Sequence, residues 1–177
     1  MGAVGRAALM QVNSHATASA MRSDANLSEG EDKNMMKILM AVDGSKHSLK
    51  ALDTLIAQAH WFKDKPQVEL LTVHAPVPKL PRMGLVVSKS QIERYYREEG
   101  EACLAAAKKR LQAAGIHFKE RILVGRTAET IAAHAMRYGC DLICIGTHGR
   151  GVAGNFVLGS VANRLSQIAR VPVLLVR

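Results

Sequence analysis

Asp141-Leu142-Ile143-Cys144-Ile145-Gly146-Thr147-His148-Gly149-Arg150-Gly151-Val152-Ala153-Gly154-Asn155-Phe156-Val157-Leu158-Gly159-Ser160 is a short apolar run followed by a glycine-rich segment. The run from Asp141 to Ile145 reads as a buried strand. Beyond the glycines, Val161, Leu165 and Ile168 recur at helical spacing within 161–169. The glycines therefore lie between a strand and a helix N-terminus. Unpaired backbone N–H groups and the positive end of the helix dipole make such a place an anion site. From Leu142 to Arg177 there is no Asp or Glu, whereas His148 and Arg150 lie within the loop. A phosphate arriving there meets donors and no repelling carboxylate.

The spacing of the glycines separates the kinds of phosphate loop. Gly149 to Gly154 fits G-x-G-x-x-G, but that fingerprint requires an acidic residue about 20 positions downstream, and none follows. Gly154 to Ser160 approaches the P-loop spacing without the Lys before its Ser. Each of these two fingerprints fails on one missing residue.

A third pattern fits throughout: Gly146-x-x-Gly149, nine residues, then Gly159-Ser160. With the opening Lys37-Ile38-Leu39-Met40-Ala41-Val42-Asp43-Gly44-Ser45 and the closing Val171-Pro172-Val173-Leu174-Leu175-Val176, it resembles the ATP-binding subgroup of the universal stress protein family. The resemblance runs from Met36 to Arg177.

Composition narrows the class independently. A chain of 177 residues is one domain with room for a sizeable core. It is 48% hydrophobic but 4% aromatic, so that core is aliphatic. No apolar run approaches the roughly 20 residues a membrane helix needs. Cys103, Cys140 and Cys144 have no metal-type spacing and read as reduced, buried thiols in a cytoplasmic protein. The formal charge is +9; residues 1–34 hold three basic against four acidic side chains, so the remainder carries +10. No basic patch interleaved with aromatics marks a nucleic-acid reader. Lys108-Lys109-Arg110 and Arg94 with Arg97 read as the solvated face of one helix.

In chain order, residues 1–34 lack hydrophobic periodicity and read as a disordered extension or a miscalled start. The domain spans 35–177. Its first strand is 37–42, followed by an Asp43-Gly44-Ser45 turn with Ser45 as N-cap, and a helix to about Trp61. Asp-Gly favours a turn by itself, yet Asp43 also stands at the carboxyl end of a strand, where open α/β sheets bind ligands. The residues alone leave both readings open. The second strand is 68–74, and a loop containing Pro76, Pro78 and Pro81 follows. Ser90-Gln91-Ile92-Glu93 predicts a capping box opening a helix to about Ala114. Tyr95 and Tyr96 read as packing residues. A third, alternating strand at 118–124 belongs near a sheet edge. The next helix, 128–137, carries His134 as an ordinary surface or boundary residue. The strand, glycine loop and helix described first come next, and 171–176 closes the chain as a fifth strand.

This β-α alternation is an α/β fold: a parallel sheet with helices on both faces, of the Rossmann-like type. The resemblance implies the strand order 3-2-1-4-5, which sets Asp43 and the glycine loop on opposite lips of one crevice. It also implies the site. Gly149, Gly159 and Ser160 would take the phosphates of ATP, or of AMP or ADP, through backbone N–H groups and the Ser160 hydroxyl. Asp43 would hold the ribose, while Val73, Ile145 and Gly146 border the base. His148 and Arg150 stand in the loop as further contacts, and Ala41 and Val161 complete the cofactor-binding set. Mg²⁺ would accompany the phosphates. The fifth strand is an apolar edge, which predicts pairing with a second copy; the family dimerises similarly.

The expected function is that of an ATP-binding regulatory protein of the stress response. No base or water-orienting group stands beside the loop apart from Asp43, so hydrolysis is expected to be slow at most. An ATPase or phosphoryl- or nucleotidyl-transfer enzyme, and a ligand-free structural dimer, are the alternatives.

Overall fold

The computed structural model describes residues 35–77, 88–150 and 158–177, with the backbone of Met10–Gln11. Five strands and four helices alternate: β1 (Lys37–Ala41), α1 (Lys46–Ala57), β2 (Gln67–His74), α2 (Lys89–Ala113), β3 (Phe118–Val124), α3 (Thr127–Arg137), β4 (Leu142–Gly146), α4 (Ser160–Ile168) and β5 (Val173–Val176). The five strands are parallel in the order β3-β2-β1-β4-β5, as the family resemblance implied. Met10–Gln11 pairs antiparallel with Val124 and Leu123 on the outer edge of β3. Apart from those two residues, the expected extension over 1–34 lies outside the described residues, as do Pro78 and Pro81.

The central strands are aliphatic on both faces because both faces are covered. Ile38, Met40, Val68, Leu70 and Cys144 pack with Leu52, Leu55, Leu104 and Leu111 from α1 and α2. On the other face Leu39, Leu71, Ile143 and Ile145 meet Ile131, Ala135 and Leu165 from α3 and α4. Burial of each Leu, Ile, Val or Met among them contributes about 1.5–3 kcal/mol. All three cysteines are buried and unpaired. Burial pushes the Cys144 thiol up to about 12 and the Cys140 thiol up to about 11.

In the first half of the chain the structure departs from the local sequence signals at two places. Ser45 caps α1 as expected, its side chain accepting from the Ser48 N–H at 3.2 Å. That helix ends at Ala57 rather than Trp61, and Ala59–Trp61 forms a separate 3₁₀ turn. The capping box of α2 starts two positions earlier than predicted. Ser88 Oγ accepts from the Gln91 N–H at 3.2 Å, and Gln91 Oε1 accepts from the Ser88 N–H at 2.9 Å. Both Ser88 and Ser90 precede a side chain able to return the bond, and the extended backbone of Ser88 settles which one caps.

His134 is the clearest correction. It is buried, not at the surface, and its Nε2 lies 3.4 Å from Oε2 of Glu69, itself buried on β2. Its ring stacks on Tyr138 at 4.2 Å. A lone His on an amphipathic helix carries no signal of a carboxylate 65 residues away in sequence.

Candidate functional site

The sheet splits where β1 and β4 send their connections to opposite faces, and the site is built from that divergence. β1 reaches the turn at Asp43, and α1 then covers one face. β4 ends at Gly146, and its loop leads to α4 on the other face. A Cβ at Gly146 would lie 2.9 Å from the His47 carbonyl oxygen, so the first turn of α1 sits directly against the backbone of β4.

The ends of the loop are tied together. The Gly159 N–H donates to the Thr147 carbonyl at 2.7 Å, and the Thr147 N–H donates to the Val176 carbonyl at 2.8 Å. The α4 helix then starts from Gly159, which supplies no side-chain cap, and its first turn holds no acidic residue. Its leading N–H groups and the positive end of its dipole are left for a ligand.

Asp43 joins the two lips. Its Oδ2 accepts from the Arg150 N–H at 3.0 Å, and its Oδ1 accepts from the Ser45 N–H at 3.0 Å. Gly149 permits this approach, because a Cβ there would stand 2.8 Å from Oδ2. Burial pushes the Asp43 carboxyl up, but bonds from Ser45, Ser48 and the Arg150 N–H outweigh it and hold the group below the ordinary carboxylate value. It is an anion at neutral pH. Thr147 Oγ1 lies 3.0 Å from His148 Nδ1, and the His148 ring is 5.4 Å from that of His47. The Arg150 guanidinium turns toward α2 and reaches Cys103 Sγ at 2.9 Å.

A cavity of about 320 Å³ opens at this point. The expected residues all line it: Ala41 and Asp43 from the end of β1, Val73 from β2, Ile145 and Gly146 from β4, His148, Gly149 and Arg150 from the loop, and Gly159, Ser160 and Val161 at the start of α4. Ser48, Thr127, Ile131 and Thr147 also line it and were missed. Ser48 and Thr127 had a usable signal, since each opens a helix that follows the carboxyl end of a strand. Ile131 reads from sequence as core and nothing more. The flanking helices are joined by Glu129, whose Oε1 accepts from Arg164 Nε at 3.2 Å and from Arg126 at 3.0 Å.

Val73 contributes backbone as well as side chain. The Leu71 carbonyl accepts from the Val42 N–H at 2.9 Å, and β1 pairs no further along β2. Two residues on, the N–H and C=O of Val73 point to the same side, past the end of β1. No group of three or more His, Cys, Asp or Glu among the described residues is placed to hold a metal ion.

Comparison with known proteins agrees with this architecture. Residues 35–177 match the model of the universal stress protein family. Universal stress protein YxiE of Bacillus subtilis is 34% identical over 149 residues, covering 80% of this chain and 98% of that protein. The solved structure of MJ0577, from Methanocaldococcus jannaschii, superposes with a TM-score of 0.64 at 28% identity, covering 81% of this chain and 96% of that one. A universal stress protein solved in complex with cAMP shares the fold, with a TM-score of 0.60 at 22% identity, covering 81% and 98%. With the family model matched over residues 35–177 and a relative 34% identical over 98% of its length, the chain belongs to the universal stress protein family.

Proposed function

We propose that this protein binds ATP in the cavity at the switch point and acts as a regulatory member of the stress response, with slow hydrolysis at most. One observation carries the reading: Asp43 and the glycine loop, distant in sequence, meet through the bond from the Arg150 N–H to Asp43. In front of that junction stands the uncapped start of α4. Phosphates bind at the N–H groups of Gly149, Gly159 and Ser160 and at the Ser160 hydroxyl, and the ribose binds at Asp43. The base lies against Val73, Ile145 and Gly146. A relative of the same fold carries cAMP, which supports a nucleotide in general. Mg²⁺ rides on the phosphates and waters rather than in a protein cage. Asp43 is the carboxylate nearest the loop and the ribose occupies it, so no general base is left to drive rapid hydrolysis.

The test is analysis of nucleotide released from freshly purified protein, beside the variant Gly159→Val. A Cβ at Gly159 would meet the Thr147 carbonyl at 3.1 Å, so the larger side chain disturbs the closure of the loop. Wild type is expected to release ATP, AMP or ADP, and the variant none. Wild type that is empty and also ignores added Mg-ATP in calorimetry sinks the reading.

The exposed edge of β5 supports a dimer. It is the outer strand of the sheet on that side, and Leu174 is 37% exposed upon it. Pairing with the same strand of a second copy covers this edge. Light scattering is expected to give a dimer for wild type and a monomer for Leu174→Lys. An unchanged mass for the variant rejects pairing through β5. The buried, unpaired thiols fit a cytoplasmic setting. No helix among the described residues is long and apolar enough to cross a membrane. Neither nucleic acid nor a lipid surface is needed as a partner.

A further inference from the structure

We infer that Thr127 is the side chain that reads the base of the bound nucleotide, an inference that rests on the nucleotide reading above. The cavity has two unlike sides. Asp43, His148 and Ser160 supply polar side chains around the glycine loop. The opposite wall is the margin of the core beneath α3 and α4, formed by Ala41, Leu71, Val73 and Ile131. A flat heterocycle suits that aliphatic wall, but its polar edge then needs partners, because a base hydrogen-bonds water when free.

Thr127 is placed to supply one. It opens α3 four residues before Ile131, so both lie on one face of the helix, with Thr127 a turn nearer the mouth. Its helix follows β3, which lies beyond β2 from β1; the residue thus reaches the cavity from the side away from the glycine loop. Its hydroxyl has no hydrogen-bond partner among the described residues. A hydroxyl donates and accepts, so it completes the set begun by the N–H and C=O of Val73. On the same reading the phosphates and ribose are held by Asp43 and the glycine loop, not by Thr127.

The experiment compares ATP with inorganic tripolyphosphate, by calorimetry, on wild type, Thr127→Val and Thr127→Ser. Valine keeps the branched shape and removes the hydroxyl; serine keeps the hydroxyl. The expected result is a loss of about tenfold in ATP affinity for Thr127→Val, restoration by Thr127→Ser, and no change for tripolyphosphate. Equal losses for both probes mean that the variant disturbs the fold rather than base contact, and they overturn the inference. Unchanged ATP affinity in Thr127→Val also overturns it. Wild type that binds neither probe overturns the nucleotide reading itself, and this inference with it.

Discussion

At the scale of single residues, the least expected feature is the buried pair of Glu69 and His134, whose side chains are 4% and 3% exposed. Burial alone would push the Glu69 carboxyl up. The His134 bond and the charge of Arg121 outweigh that and hold it below its ordinary value. The carboxylate is thus ionised in a place where it depends on its partners. His134→Ala is expected to lower stability by about 3 kcal/mol in urea unfolding. The double variant Glu69→Leu/His134→Leu removes the carboxylate together with its partner and should cost markedly less. Equal losses in the two would mean that His134 matters for packing alone. Neither residue showed its partner in the sequence, because the contact joins two elements that are adjacent only once β2 and α3 are stacked.

At the scale of elements, each helix is defined by how its first turn is closed. α2 has a complete capping box, and α1 has Ser45; α4 has only Gly159. α3, entered from Arg126, has no side-chain cap either, and the first residues of these two uncapped helices, Thr127 and Ser160, both line the cavity, so their leading N–H groups are left for a ligand to satisfy. For α2 the choice between two serines is testable. Ser88→Ala should destabilise the protein by about 1 kcal/mol, while Ser90→Ala should stay within about 0.5 kcal/mol of wild type. Thermal unfolding of the two variants measures this directly. The reverse order would show that the helix starts where the sequence pattern first suggested.

At the scale of the whole molecule, three buried or half-buried groups tilt stability in the same direction with pH. Burial holds His74 below its ordinary value of 6.5, against the pull of Glu99 and with the charge of Arg150 adding to it. Between that ordinary value and the lower folded value, the unfolded chain binds a proton that the folded chain does not. Stability therefore falls as pH drops below about 6.5. The lowered values of Asp43 and Glu69 contribute stability that is present above the usual carboxylate range, and it is lost as pH falls through their folded values. The urea midpoint should hold steady from pH 8 to pH 7, decline below about 6.5, and decline further in the carboxylate range. His74→Gln should flatten the first part of that decline and leave the second. A midpoint that rises on acidification would contradict all three assignments.

The sequence by itself determined the α/β alternation, the aliphatic core strands and the position of the anion loop. These are local properties: apolar runs, helical spacing and glycines between a strand and a helix can each be read within a few turns of chain. The resemblance carried by Gly146, Gly149, Gly159 and Ser160 then implied the strand order. Only the tertiary structure decided that Arg150 sends its N–H to Asp43 and its guanidinium to Cys103. It likewise decided that His134 lies buried against Glu69, and that Thr127 and Ile131 wall the cavity. The physical reason is one of range. Helix and strand periodicities are fixed by neighbours along the chain, whereas these contacts depend on which faces of the sheet each crossover covers and how far each strand extends past the next.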